Sequence, residues 1–165
     1  MQTLKRTLAT LAVFAVSAVS ATAVTAQSKA PDFSGQWELN PTKSDFGPMA
    51  QQAPTKGTLT ITQTASSLKY SQAITTPMGD QTNSQEFPLD GTDHTATGMD
   101  GQPATSSAKV DGEAVVVNTK MQREGADITM ASRWTLSPDG KVLTIDRQIG
   151  TPMGPLTMKL VYDKK

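Results

Sequence analysis

No cysteine occurs among the 165 residues, and that absence excludes more chemistry than any other feature of the chain. Thiol nucleophiles, thiolate metal sites and haem attachment through CxxCH are ruled out together. A fold without disulfides must be held by packing alone. Histidine is almost as scarce, with His94 the only one. A Ser–His–Asp arrangement or a histidine-bearing metal site would have to use it. It lies in Asp90-Gly91-Thr92-Asp93-His94, where the residues are those that turns favour. There is no nucleophile elbow, P-loop, GxGxxG, EF-hand loop or HExxH. The sequence therefore assigns no catalytic set, no metal site and no cofactor.

One long apolar run is present, and it stands at the start. Lys5 and Arg6 precede the small-residue apolar stretch from Leu8 to Val24, and Val24-Thr25-Ala26 offers a small-x-small cleavage site. Residues 1–26 therefore read as an export signal. The Ala, Ser and Thr content makes this stretch weak as a membrane span. The expected mature chain, 27–165, is one domain, found in a periplasm or secreted, with no integral membrane association once the signal is cleaved. Without Lys5 and Arg6, 13 basic side chains face 15 acidic ones, a balance that gives no electrostatic case for nucleic acid. Aromatic residues are only 5% of the chain. An outer-membrane barrel, which needs aromatic girdles around a lipid-facing apolar band, is not indicated.

Beyond the leader the sequence is strand after strand. Phe33 to Asn40 alternates apolar and polar residues, the period of a half-buried strand. Further strands are expected at about 58–63, 68–76, 81–87, 104–110, 114–122, 127–136, 142–149 and 155–162. Turn signals such as Asp111-Gly112 and Pro138-Asp139-Gly140 separate most of them. Short strands on such a rhythm indicate a sandwich or barrel. Residues 41–56 form the longest irregular link, and 90–103 reads either as a long loop or as one short extra strand.

An internal echo runs at an offset of 75 residues. Leu68 to Gly79 and Leu143 to Gly154 both end in Ile-x-Thr-Pro-Met-Gly, which reads as two similar hairpins turning at Pro-Met-Gly. The alternation places Phe33, Trp37, Leu39, Leu59, Ile61, Val115, Val117, Trp134, Leu143, Ile145, Met158 and Tyr162 on the inward face. It also turns several polar residues inward. Arg147 shares a face with Ile145 and Ile149, Gln72 with Tyr70 and Ile74, and Gln81, Asn83 and Gln85 with Phe87. Buried polar groups need partners. Two readings follow: a packed interior, with Arg147 stacked on Trp37 or Trp134 and the amides satisfying one another, or a wet cavity whose polar wall orients a bound amphiphile. On the second, the candidate ligand-binding residues are Tyr70, Gln72, Gln81, Asn83, Gln85, Trp134, Arg147 and Met158, with the apolar end of the ligand toward Trp37, Ile145 and Met158. The eight methionines read as gap-fillers of the core.

Phe33-Ser34-Gly35-Gln36-Trp37 resembles the opening strand of the lipocalin-like (calycin) superfamily. The segments 32–49, 134–147 and 151–164 are similar to small exported lipocalin-like proteins of bacteria. The resemblance implies an up-and-down antiparallel β-barrel of eight to ten strands that binds a small hydrophobic or amphiphilic molecule. It makes Gly35 and Trp37 the structural motif, with Trp37 at the closed end beneath a late-strand Arg, for which Arg147 is the candidate. It makes the 41–56 link a candidate lid. A second reading is a periplasmic protease inhibitor acting through an N-terminal tail from Gln27 to Asp32. A third is an enzyme on the same barrel. Ligand binding predicts an internal cavity, inhibition a projecting tail on a filled barrel, and catalysis titratable groups converging inside.

Overall fold

A computed structural model describes residues 31–98 and 101–165; the export-signal reading of 1–26 lies outside them. The strands are β1 (Gly35–Leu39), β2 (Lys56–Gln63), β3 (Ser67–Thr76), β4 (Gly79–Pro88), β5 (His94–Thr97), β6 (Pro103–Asp111), β7 (Ala114–Arg123), β8 (Ala126–Leu136), β9 (Val142–Thr151) and β10 (Gly154–Lys164). All neighbours pair antiparallel, in the order β4-β3-β2-β1-β10-β9-β8-β7-β6-β5. The first strand thus sits between the second and the last. The hydrogen-bonded ladder ends at β4 and at β5, and β4 lies against β6, so the barrel is nearly closed with a lateral seam. The 90–103 region carries the short extra strand, β5. The seam itself was not expected. It falls between β4 and β5, consecutive strands that do not exchange hydrogen bonds, and alternation within each strand says nothing about whether two neighbours in sequence pair.

The two echoed hairpins are alike in detail. In each, the turn threonine donates its hydroxyl to the glycine carbonyl, Thr76 to Gly79 at 3.0 Å and Thr151 to Gly154 at 2.8 Å. In each it also accepts from the methionine N–H, Met78 and Met153, at 3.2 Å. The tips project Met78 and Met153 into solvent, the latter 98% exposed. These methionines are not core gap-fillers.

The barrel has two unlike ends. At one, Phe33, Trp37, Leu59, Leu68, Leu143, Val115 and Tyr162 are essentially inaccessible and form a continuous core with Trp134 and Ile145. At the other lie the two Pro-Met-Gly tips and the 3-10 helix Gly47–Gln52. The helix follows from how β1 ends. After Leu39 the chain bulges through 41–44 and rejoins β10, where Asp45 and Lys159 exchange backbone hydrogen bonds of 2.8 and 2.7 Å. Ser44 Oγ accepts from the Val161 N–H at 2.9 Å on the way. The helix buries none of its residues, so it edges the mouth and does not plug it.

Trp37 fixes the closed end. Its indole N–H donates to the Phe33 carbonyl at 2.9 Å, and its ring carries the Lys164 ammonium 5.2 Å from the centroid. Trp37 and Lys164 are cross-strand partners on β1 and β10, which puts both side chains on one face. Gly35 makes room, since a Cβ there would stand 3.2 Å from Lys164 Cε, at a φ of +135° that side-chain-bearing residues avoid. The cation above the motif tryptophan is therefore Lys164 and not Arg147, which lies further along the barrel on β9 and stacks on neither tryptophan.

Replacing Trp37 with Ala should cost about 3–5 kcal/mol of unfolding free energy, the loss for a large aromatic from a packed core. Lys164→Met, which keeps the stem and removes the charge, should cost no more than about 1 kcal/mol, the worth of an exposed cation–π contact. Urea denaturation of both variants checks the order; a Lys164→Met cost matching that of Trp37→Ala would mean the charge, not the indole packing, holds this end.

Candidate functional site

Above the core, the inward-facing side chains are no longer fully buried. Gln72 and Ile74 on β3, Asn83 and Gln85 on β4, Ser106 on β6, Met130 on β8, Arg147 and Ile149 on β9, and Leu156 and Met158 on β10 are all partly accessible. Their outward neighbours are on the far side of the sheet. Side chains that point inward yet meet solvent define a hollow, and the hollow opens at the end ringed by Met78, Met153 and the 3-10 helix. The interior is a cup with a packed floor.

Arg147 is the strongest electrostatic feature of the cup. It lies opposite Ser132 on β8 and Met158 on β10, and its Nε donates to Ser132 Oγ at 3.2 Å. No ion pair among the described residues includes it, since those found, such as Arg133 to Asp111 and Lys43 to Asp163, are on the outside. A guanidinium partly withdrawn from water with one neutral partner and no counter-ion is an unfinished arrangement.

Two tyrosines lie within reach of its field. Tyr162 accepts from Gln72 Nε2 at 2.9 Å, and burial pushes its hydroxyl pKa up to about 12, with the Arg147 charge acting the other way. Tyr70 donates to Gln85 Oε1 and accepts from Asn83 Nδ2, each at 3.0 Å, and burial raises its pKa too, again against Arg147. Both phenols stay neutral at physiological pH and present hydroxyl groups. Trp134, 3% exposed, packs on Tyr70 with ring centroids 5.7 Å apart and on Phe33 at 6.4 Å. Its Nε1–H is the one buried side-chain polar atom without a partner among the described residues.

The structure thus brings Tyr70, Gln72, Asn83, Gln85, Arg147 and Met158 together around one space. Gln81 keeps the inward register, opposite Ile74, but sits at the mouth and is exposed. Trp134 belongs to the floor, and so do Trp37 and Ile145, which are too deeply packed to form an apolar ligand wall. Alternation fixes which face a residue takes; it does not fix depth along the axis, which depends on strand stagger. For that reason sequence reasoning also missed Tyr162, Ser132, Ser106 and Thr119 as members of the polar lining. Ser106 Oγ and Thr119 Oγ1 are 2.9 Å apart, and both positions carry the period-two signal that found the others.

Other features lie elsewhere. His94 Nε2 stands 2.9 Å from Asp90 Oδ2 on the exterior. There the Thr92 backbone N–H and the His94 ring hold the Asp90 carboxyl down at about 2. A concavity of about 540 Å³ is lined mainly by outward residues of the strands around Arg133, Asp146 and Lys159. It is an open groove on the barrel wall and not the cup. At the N-terminal side, Gln63 ties the incoming chain to β2, its Nε2 donating to the Pro31 carbonyl at 2.7 Å and its Oε1 accepting from the Phe33 N–H at 3.0 Å.

The same barrel recurs among solved structures. A secretary abundant heat soluble (SAHS) protein from Ramazzottius varieornatus aligns with a TM-score of 0.59 at 16% identity, over 84% of this chain and 98% of that one. Zebrafish ileal bile acid-binding protein, in complex with cholic acid, aligns with a TM-score of 0.57 at 14% identity, over 81% and 98%. Lipid binding protein 8 of Caenorhabditis elegans gives 0.57 at 13%, over 81% and 95%. At such identities the likeness is one of fold: an all-β, ten-stranded, nearly closed antiparallel barrel of the lipocalin and fatty-acid-binding type. No protein-family model matches the chain, and no curated protein matches it.

Tyr162 makes the fold sensitive to alkali. Its hydroxyl ionises near 10 when unfolded and near 12 when folded, so between these values the unfolded chain binds fewer protons and stability falls as pH rises. The contribution is whole below pH 10 and lost through pH 12, and amounts to roughly 3 kcal/mol for a shift of this size. Denaturation midpoints from pH 9 to 12 should drop steeply in the wild type and less in Tyr162→Phe. Equal slopes would mean the phenol is not buried as described.

Proposed function

We propose that this protein is an exported barrel that carries a small acidic amphiphile, its head group against Arg147 and its apolar body along Met130, Ile149, Leu156 and Met158. The single observation that carries the reading is the guanidinium of Arg147, inside a cup open at one end, with no carboxylate paired to it among the described residues. An anionic head group there would accept from the free Nη atoms of Arg147 and from the Tyr162 hydroxyl, which accepts from Gln72 and has its own proton to give, bonds that strengthen away from water. The apolar wall supplies the area that hydrophobic binding needs.

The fold likeness supports the coarser part, binding of a small hydrophobic molecule. Its neighbours include a fatty acid transporter, a bile acid-binding protein with cholic acid bound and a fatty acid-binding protein from Drosophila melanogaster. The leader supports export to a bacterial periplasm or medium, and N-terminal sequencing of the native protein should find Gln27 first; an intact Met1 would end that part. The inhibitor reading has less behind it. It calls for a filled barrel, and the half-accessible inner wall favours a hollow one.

Displacement of a fluorescent fatty acid tests the binding. Palmitate should displace the probe, and Arg147→Met should weaken palmitate roughly ten- to hundred-fold, the worth of a charge-assisted hydrogen bond, while leaving hexadecanol and the melting temperature little changed. An equal loss for the acid and the alcohol, or no displacement by either, overturns the assignment.

A further inference from the structure

The cup is divided along its length. On one side Gln72, Asn83 and Gln85 project from β3 and β4, and Ser106 and Thr119 from β6 and β7. Gln72 and Asn83 are cross-strand partners, and so are Ser106 and Thr119. The two pairs lie on the strands that flank the seam, where β4 lies against β6. On the other side Met130, Ile149 and Leu156 form one cross-strand row over β8, β9 and β10, with Met158 next to it. The echo sharpens the contrast, since Asn83 and Gln85 occupy the places that Met158 and Leu160 hold in the second hairpin.

The polar side is only partly satisfied from within. Among the described residues, Gln85 Nε2, Asn83 Oδ1 and Gln72 Oε1 have no protein partner, while their opposite amide atoms are bound to the two tyrosines. A plain alkyl chain filling the cup would take water from these amides and return nothing, which is costly. A ligand with hydroxyl groups along one long edge would replace that water bond for bond, and its apolar edge would meet the methionine and isoleucine row. The geometry points to a facial amphiphile: an acid whose body is hydroxylated along one face and apolar along the other, such as a polyhydroxylated polycyclic acid. This rests on the Arg147 head-group reading and narrows its ligand class.

Competition with 1-anilinonaphthalene-8-sulfonate on the purified protein tests it, using cholate, lithocholate and palmitate below their aggregation concentrations. Cholate and lithocholate share ring system and carboxylate and differ in hydroxyl count, three against one. Cholate should compete at about ten-fold lower concentration than lithocholate, the reverse of their hydrophobicity, and lower than palmitate. Asn83→Leu should bring lithocholate level with or ahead of cholate, and Ser106→Ala, a milder change on the other half of the stripe, should move the ratio the same way. Lithocholate or palmitate at least as strong as cholate in the wild type overturns the facial assignment while leaving acid binding intact. Competition by none of the three overturns both.

Discussion

The pairing of the first strand with the last, locked by Trp37, is the constraint on which the rest of this barrel depends. Gly35 lacks the Cβ that would obstruct Lys164, so the lysine stem lies across the glycine and its ammonium over the indole. The indole N–H is satisfied by the Phe33 carbonyl inside the same turn of chain. Burying this ring completely is what allows the neighbouring strands to converge. With that end closed, the strands run on to an end whose inward side chains are partly accessible. The Gly-x-Trp signature is thus a device for closing one end of a cylinder without a disulfide.

Stability and function occupy different levels of the same strands. The floor, from Phe33 and Trp37 to Leu143 and Tyr162, is packed and dry. Two residues further along the same strands the inward positions become partly wet: Tyr70 gives way to Gln72, Ile145 to Arg147, Leu160 to Met158. The tyrosines stand at this boundary. Their rings belong to the core, and their hydroxyls organise the amides above. Such a division lets the floor supply the folding free energy while the upper wall keeps polar groups that a filled core would not tolerate.

Much of this was legible in the sequence because the period of a strand is two. Strand positions, inward faces, the turn signals and the inward course of Arg147 all follow from alternation. The echo of the two hairpins proved to be physical, down to the threonine that caps each turn. What escaped is whatever depends on a third dimension. Lys164 reads as part of a charged tail, and only the register of β1 against β10 reveals it as the partner of Trp37. Arg147 and Lys164 are both inward cations on late strands; their different depths come from stagger, which no single strand records. Trp134 and Gln81 share the inward face of the site residues and miss the cup for the same reason, one too deep and the other too shallow. The seam between β4 and β5 is likewise a property of two strands that do not meet.

The position of β1 has a temporal consequence. Its neighbour on one side is β2, made almost at once, and on the other β10, made last. Until the final residues emerge, Trp37 lacks its cation, and the Gln36 carbonyl lacks the Lys165 N–H that it accepts at 2.9 Å. A chain growing from a ribosome therefore cannot shut the cylinder early, however well its hairpins have formed. Closure over so large a sequence separation is slow, and β1 and β10 keep unpaired edges while they wait, open to pairing with other chains.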